Sequence, residues 1–154
     1  MNAPRAAPSL KGRALRLLAR REHSRPELER RLAPHAESPE ALAGALDELQ
    51  ARGFISEARV VDAVLHQRAA QYGALRLRQE LQHKGVAPDA IAAAVAGLAG
   101  SEFERALALW RRRFRPAADT RERARQGRFL LARGFSAEVV GRVLKAGGQE
   151  ERGG

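Results

Sequence analysis

Arg121, Arg125 and Arg128 recur at intervals of four and three, the spacing that puts side chains on one face of an α-helix. With Arg133 they form a basic stripe. Guanidinium groups arrayed this way hold carboxylates and phosphates through forked N–H donors, so the chemistry they suit is polyanion binding. Arg76 and, eight residues on, Lys84 mark a comparable face, with Arg78 to its side. Arg111, Arg112 and Arg113 surround the end of another segment, where cations also complement a helix dipole. Trp110 and Phe114 stand four apart on an apolar stripe there, and are expected in the core rather than as platforms for stacked bases. Arg68 differs, because it falls at i+7 from Val61 and i+4 from Val64, inside an apolar stripe. A half-buried arginine requires an acid. Glu80 is the candidate, and Tyr72 is placed one turn on to cover the pair.

Nothing in the chain assembles a catalytic constellation. No G-x-x-x-x-G-K-[ST], G-x-S-x-G or H-E-x-x-H occurs. His23, His35, His66 and His83 are scattered, without the i, i+4 spacing of a metal-binding helix face, and are expected as surface or capping residues. Glu57, Asp62 and Glu80 sit among arginines as ion-pair partners. The absence of cysteine excludes disulfides, thiolate metal sites and a cysteine nucleophile. The sequence therefore reads as a binding protein with no cofactor and no metal, not an enzyme.

The charge supports polyanionic partners through counterion release. The 154 residues carry 28 basic side chains, only three of them lysine, against 18 acidic ones, for a formal net charge of +10. Residues 101–154 hold 13 of the basic groups and seven of the acidic, so the excess gathers toward the C-terminal third. No stretch approaches the roughly 18 apolar residues of a membrane span. Residues 1–12 lack an apolar signal core and are expected as a flexible arm, residues 147–154 as a flexible tail. A cytoplasmic monomer is the expectation.

These charges must be positioned by helices. Start signals recur at Ser24-Arg25-Pro26-Glu27, Ser38-Pro39-Glu40, Ser101-Glu102-Phe103-Glu104, Asp119-Thr120-Arg121-Glu122 and Ser136-Ala137-Glu138. Stop signals at Gly53, Gly85 and Gly134 each follow a basic residue, as left-handed caps do. Helices are predicted near 13–22, 25–34, 39–52, 57–72, 74–84, 88–97, 102–115, 120–133 and 137–146, with no strand. A shift of 49 residues relates Leu42, Leu46 and Leu49 to Ile91, Val95 and Leu98, and Leu32 to Leu81 and Leu130. It relates Phe54, Val61 and Leu65 to Phe103, Trp110 and Phe114, and Gly85 to Gly134. One three-helix unit is thus used three times, over 13–53, 54–100 and 101–146. The fold class is all-α, with the repeats stacked into an elongated, curved, right-handed-type solenoid. The corners Arg52-Gly53-Phe54 and Arg133-Gly134-Phe135 are joints of this repeat, so their glycines and phenylalanines are structural.

The residues also resemble a known family. ALRLLARREHSRPELERRL at 14–32, GFISEARVVDAVLHQRAAQYGALRLRQELQHKGV at 53–86 and FLLARGFSAEVVGRVL at 129–144 are similar, in order and spacing, to three motifs of the RecX regulators of the bacterial RecA recombinase. Gly73 falls at the glycine of the central motif and Arg59 at its arginine, which either caps the turn through Glu57 or contacts a partner. Ser56-Glu57 and Val60 depart from the usual acidic pair and aromatic. The resemblance implies a three-repeat helical protein that lies along the groove of the RecA filament and inhibits ATP hydrolysis and strand exchange. It implies a modulator of DNA repair, recombination and the SOS response, contacting single- or double-stranded DNA directly or through RecA. Arg59, Arg76, Arg78, Lys84, Arg111, Arg112, Arg113, Arg121, Arg125, Arg128 and Arg133 are the expected partner-binding residues. A stand-alone helical DNA-binding protein and a non-enzymatic scaffold are the alternatives.

Overall fold

Side-chain oxygens set most helix starts. Ser9, Ser38, Ser56, Asp119 and Ser136 each accept a hydrogen bond from the amide three residues on, at 2.8–3.2 Å. Ser24 and Glu27 form a reciprocal capping box. Each such cap is worth about 1 kcal/mol. The computed structural model describes residues 7–152, which contain nine α-helices and no strand. These are α1 (Leu10–Arg20), α2 (Arg25–Leu32), α3 (Pro39–Ala51), α4 (Glu57–Arg68), α5 (Ala74–His83), α6 (Pro88–Leu98), α7 (Glu102–Arg113), α8 (Thr120–Ala132) and α9 (Ala137–Arg152). Short 3-10 turns follow α2 at Ala33–His35 and α6 at Ala99–Ser101.

Several expected ends move. The first helix begins at Leu10, inside the expected arm, because the Ser9 hydroxyl caps it. α4 stops at Arg68, and Ala69–Tyr72 form a turn whose Gln71 and Tyr72 amides return to the Arg68 carbonyl. α7 stops at Arg113, with Phe114 extended. α9 continues past 146 through Arg152. Ser101 caps nothing; its hydroxyl donates to the Leu98 carbonyl (3.2 Å) and it lies within the 3-10 turn that leads directly into α7.

The helices group into two units. One comprises residues up to Val60 together with Lys84–Val86, the other Val61–His83 and the chain from Ala87. The first unit is cored by Ala14, Leu28, Leu32, Leu42, Leu46, Leu49 and Ile55. In the second, Ala106, Leu107, Leu109, Trp110, Leu130, Phe135, Val139, Val140 and Val143 bury the faces of α7, α8 and α9. Burying each larger aliphatic or aromatic chain contributes about 1.5–3 kcal/mol, which short helices cannot supply from propensity.

Within the first unit, the Lys84-Gly85 corner docks on the start of α2. Gly85 adopts φ +77°, and a Cβ there would stand 2.6 Å from Pro26. The Ser24 hydroxyl donates to the Lys84 carbonyl, and the Lys84 ammonium lies 3.4 Å from the Glu27 carboxylate. Burial works against the charged Glu27, yet the Ser24 amide, Arg21 and Lys84 outweigh it and hold its carboxyl at about 2. His23 is buried here, not at the surface as its scatter in the sequence suggests. Burial pushes its imidazole below the ordinary value, and Nδ1 lies 3.0 Å from the Arg21 carbonyl.

Candidate functional site

The second unit repeats this docking with different chemistry. Its Arg133-Gly134-Phe135 corner ends α8 in a Schellman motif: the Phe135 amide returns to the Leu130 carbonyl and the Gly134 amide to that of Leu131. Gly134 adopts φ +90°, and a Cβ on it would stand 2.5 Å from Arg76. Gly73 donates to the Arg133 carbonyl at 2.8 Å and Leu75 to that of Gly134 at 3.2 Å, while a Cβ on Gly73 would collide with the Gly134 carbonyl. Two glycines therefore let the turn before α5 and the corner after α8 lie backbone on backbone.

The start of α7 clamps the same turn. Glu102 accepts from the Ala74 amide (3.1 Å), capping α5, and Arg105 donates to the carbonyls of Ala69 (2.6 Å) and Tyr72 (2.9 Å). Burial lowers the Arg105 guanidinium from its ordinary value, with Glu102 acting in the opposite sense.

The result is a ladder of cations on rings. Arg68, Arg133 and Arg76 lie 4.6, 5.1 and 5.5 Å from the centre of the Tyr72 ring. Arg133 also lies 5.0 Å from Phe129, which Arg113 approaches at 4.4 Å. Phe129 meets Phe114 edge to face, with centroids 5.2 Å apart, and Arg125 sits 5.4 Å from Phe114. Ring faces are negative, so each contact favours a guanidinium by about 0.5–1 kcal/mol while leaving its N–H edges for other acceptors. Two of the five cations are neutralised. Arg68 pairs with Glu80 (2.8 Å), where the approach is an ion pair rather than an aligned hydrogen bond. Arg125 grips Glu122 through two bonds of 2.8 Å, which lower the Glu122 carboxyl and raise the guanidinium. Arg76, Arg113 and Arg133 have no acid partner among the described residues.

The ladder gathers Arg68, Tyr72, Arg76, Arg113, Arg125 and Arg133, all singled out in the sequence. It does not gather the others. Lys84 belongs to the first unit, where it pairs with Glu27. Arg59 caps its turn through the Gly53 carbonyl (2.6 Å) and pairs with Glu22 (2.9 Å). Arg78, Arg121 and Arg128 are exposed and make no ion pair among the described residues. Arg111 and Arg112 are also exposed, Arg112 reaching the Ala70 carbonyl at 3.4 Å. Phe54 supports its corner through its amide, which returns to the Leu49 carbonyl, while its ring is 44% exposed. Trp110 is 2% exposed and donates to Gln126 (2.9 Å), so base stacking is closed to it.

Phe129 is the ring that sequence reasoning passed over. The signal was present, because Arg125, Phe129 and Arg133 are four apart and so interleave a ring between two cations on one stripe. Arg105 and Glu102 had no such signal. Among the described residues no group of three or more His, Asp or Glu is placed to hold a metal, and no helix is long and apolar enough to cross a membrane.

The model of the second three-helix domain of RecX matches residues 56–95, and that of the third matches residues 101–144. The regulatory protein RecX of Leptothrix cholodnii is 55% identical over 151 residues, 97% of this chain and 96% of that protein. Its counterpart in Ralstonia nicotianae is 50% identical over 146 residues, covering 94% and 92%. The crystal structure of RecX from Lactobacillus salivarius has the same fold, with a TM-score of 0.76 at 15% identity over 89% of this chain and 93% of that one. An all-helical chain that carries these domains and is this similar to these relatives over nearly its whole length belongs to the RecX family of regulatory proteins.

Proposed function

We propose that this chain is a non-enzymatic negative regulator of the RecA recombinase. It binds the RecA–DNA filament along its groove in the cytoplasm, inhibits ATP hydrolysis and strand exchange, and so modulates DNA repair and recombination. The observation that supports this most is the arginine–aromatic ladder, three of whose cations have no acid partner among the described residues. A recombinase filament on DNA offers two kinds of acceptor for them, acidic side chains and phosphates. Arg121 and Arg128 on α8 extend the same charge. Individually weak contacts gain avidity when one chain touches several protomers of a filament.

Titration into a RecA–single-stranded DNA ATPase assay tests the function, with DNA binding by the chain alone as the control. The wild type is expected to inhibit. Arg76→Ala with Arg133→Ala is expected to require about tenfold more protein, the loss of one to two charged contacts. Equal inhibition by the double variant at moderate salt sinks the role of the ladder. Tight binding to DNA alone with a steep salt slope, and no effect on the recombinase, identifies a stand-alone nucleic-acid-binding protein instead.

A further inference from the structure

The first unit holds a second concentration of charge. A cleft of about 240 Å³ opens between α1, α2 and the Ala33–His35 turn. Arg13, Arg16 and Arg20 line it from α1, three and four residues apart and therefore on one face. Arg31 and His35 line the opposite wall, and Leu17 and Leu32 supply the apolar part. No acidic residue lines the cleft.

Among the described residues, several other cations of this unit are paired: Lys11 with Glu48, Arg21 with Glu27, Arg25 with Asp47 and Glu29, Arg59 with Glu22. The guanidinium groups of the four cleft arginines have no ion pair or hydrogen bond among the described residues. Like charges three and four apart on a helix destabilise it. The three-helix scaffold does not demand that cost. At the shift of 49 residues, Arg13, Arg16, Arg20 and Arg31 become Asp62, Leu65, Ala69 and Glu80.

We propose that this cleft binds an oligophosphate, the anhydride-linked chain of phosphates found in a nucleoside triphosphate or in inorganic triphosphate. Charge density selects it. A nucleic-acid strand carries one charge per about 3.4 Å, so few of its charges fit within a cleft of about 240 Å³. A terminal phosphate alone carries about −1.5 to −2, and each further phosphate in the chain adds to it within the same space. Four guanidiniums and an imidazole around one small volume match the second charge density. Forked N–H donors suit the crowded acceptor oxygens.

Calorimetric titration of the full chain with inorganic triphosphate, without recombinase or DNA, tests the site independently of the regulatory function. Saturable one-to-one binding is expected. Arg16→Ala with Arg31→Ala is expected to weaken it at least about tenfold, while Arg76→Ala with Arg133→Ala leaves it unchanged. Arg16 and Arg31 are exposed, and circular dichroism confirms that each variant is folded. Competition identifies the source: displacement of the probe by ATP assigns a nucleotide, and resistance to ATP assigns the bare phosphate chain. The proposal is overturned if no saturable binding occurs at millimolar probe, or if the Arg76/Arg133 variant weakens binding as much as the cleft variant. It is equally overturned if a short oligothymidylate displaces the probe at equal phosphate concentration.

Discussion

Replacing Glu27 with glutamine removes one charge from the joint between α2 and the Lys84-Gly85 corner while keeping its shape. Glutamine still accepts from the Ser24 amide, so the helix cap survives. What disappears is the attraction of the carboxylate for Arg21 at 3.0 Å and Lys84 at 3.4 Å. A carboxyl held at about 2 rather than its ordinary 4.5 stabilises the folded state by about 3 kcal/mol when fully charged. The Glu27 side chain is 11% exposed, so solvent screening removes little of this. The sign is that of a depressed acid: the contribution is complete above pH 4.5 and is lost as pH falls toward 2.

Urea unfolding followed by far-ultraviolet circular dichroism, at pH 7, 4.5 and 3, measures it. Wild type and Glu27→Gln are expected to differ by about 3 kcal/mol at pH 7, and by on the order of 1 kcal/mol at pH 3. Other groups titrate over the same range, among them buried His23, whose lowered imidazole also costs stability as pH falls. Taking the difference between the two curves cancels them. Glu48→Gln serves as the control, because the Glu48 pair with Lys11 is exposed and is expected to shift nothing measurable. A Glu27→Gln difference that stays constant from pH 7 to 3 refutes the charge argument, since the loss would then be one of packing.

Trp110 is the only tryptophan, so its fluorescence reports unfolding of the second unit in three further comparisons. Gln126→Ala leaves the indole N–H buried without its acceptor and opens a void, and is expected to cost about 2–4 kcal/mol and shift the emission. Gly134→Ala combines left-handed strain with collision against Arg76 and is expected to cost about 2–5 kcal/mol. Gly53→Ala, with the same backbone sign but open space, is expected to cost about 1–2 kcal/mol by circular dichroism. On α9, Gly147→Ala drives a methyl into the Trp110 ring and is expected to destabilise, whereas Gly141→Ala meets nothing and is expected to stabilise by about 1 kcal/mol through helix propensity.

What could be read from the sequence was whatever depends on one helix or one turn. The caps at Ser24, Ser38, Asp119 and Ser136 and the left-handed glycines are local, and the 49-residue period shows as the recurrence of such local signals, so all were visible. Arg68 was visible too, because a charge inside an apolar stripe demands a partner, and Glu80 supplies it. Lys84 was misplaced for a physical reason. Helical phase was extended to it from Arg76, but α5 ends at His83, and Lys84 belongs to the turn that faces α2. Arg105 acts across helices, through contacts that periodicity along one helix does not encode, whereas Phe129 stood in the periodicity between Arg125 and Arg133 and was passed over.

The period itself supplies the strongest reason to separate fold from function. The contact of Ser24 with the Lys84 carbonyl becomes, 49 residues on, the contact of Gly73 with the Arg133 carbonyl. The scaffold is therefore the same joint used twice. Its side chains are not the same: His23 becomes Tyr72, Glu27 becomes Arg76 and Lys84 becomes Arg133. In the first joint the imidazole meets the Arg21 carbonyl, and the one carboxylate of Glu27 draws in both Arg21 and Lys84. In the second the acid has become a cation and the imidazole a phenol ring, so Arg76 and Arg133 join the Glu80-paired Arg68 around the Tyr72 ring and have no acid partner among the described residues. A joint that needed only to hold helices together is already built in the first form. The second form gives up the internal ion pair and holds its guanidiniums against an aromatic ring instead.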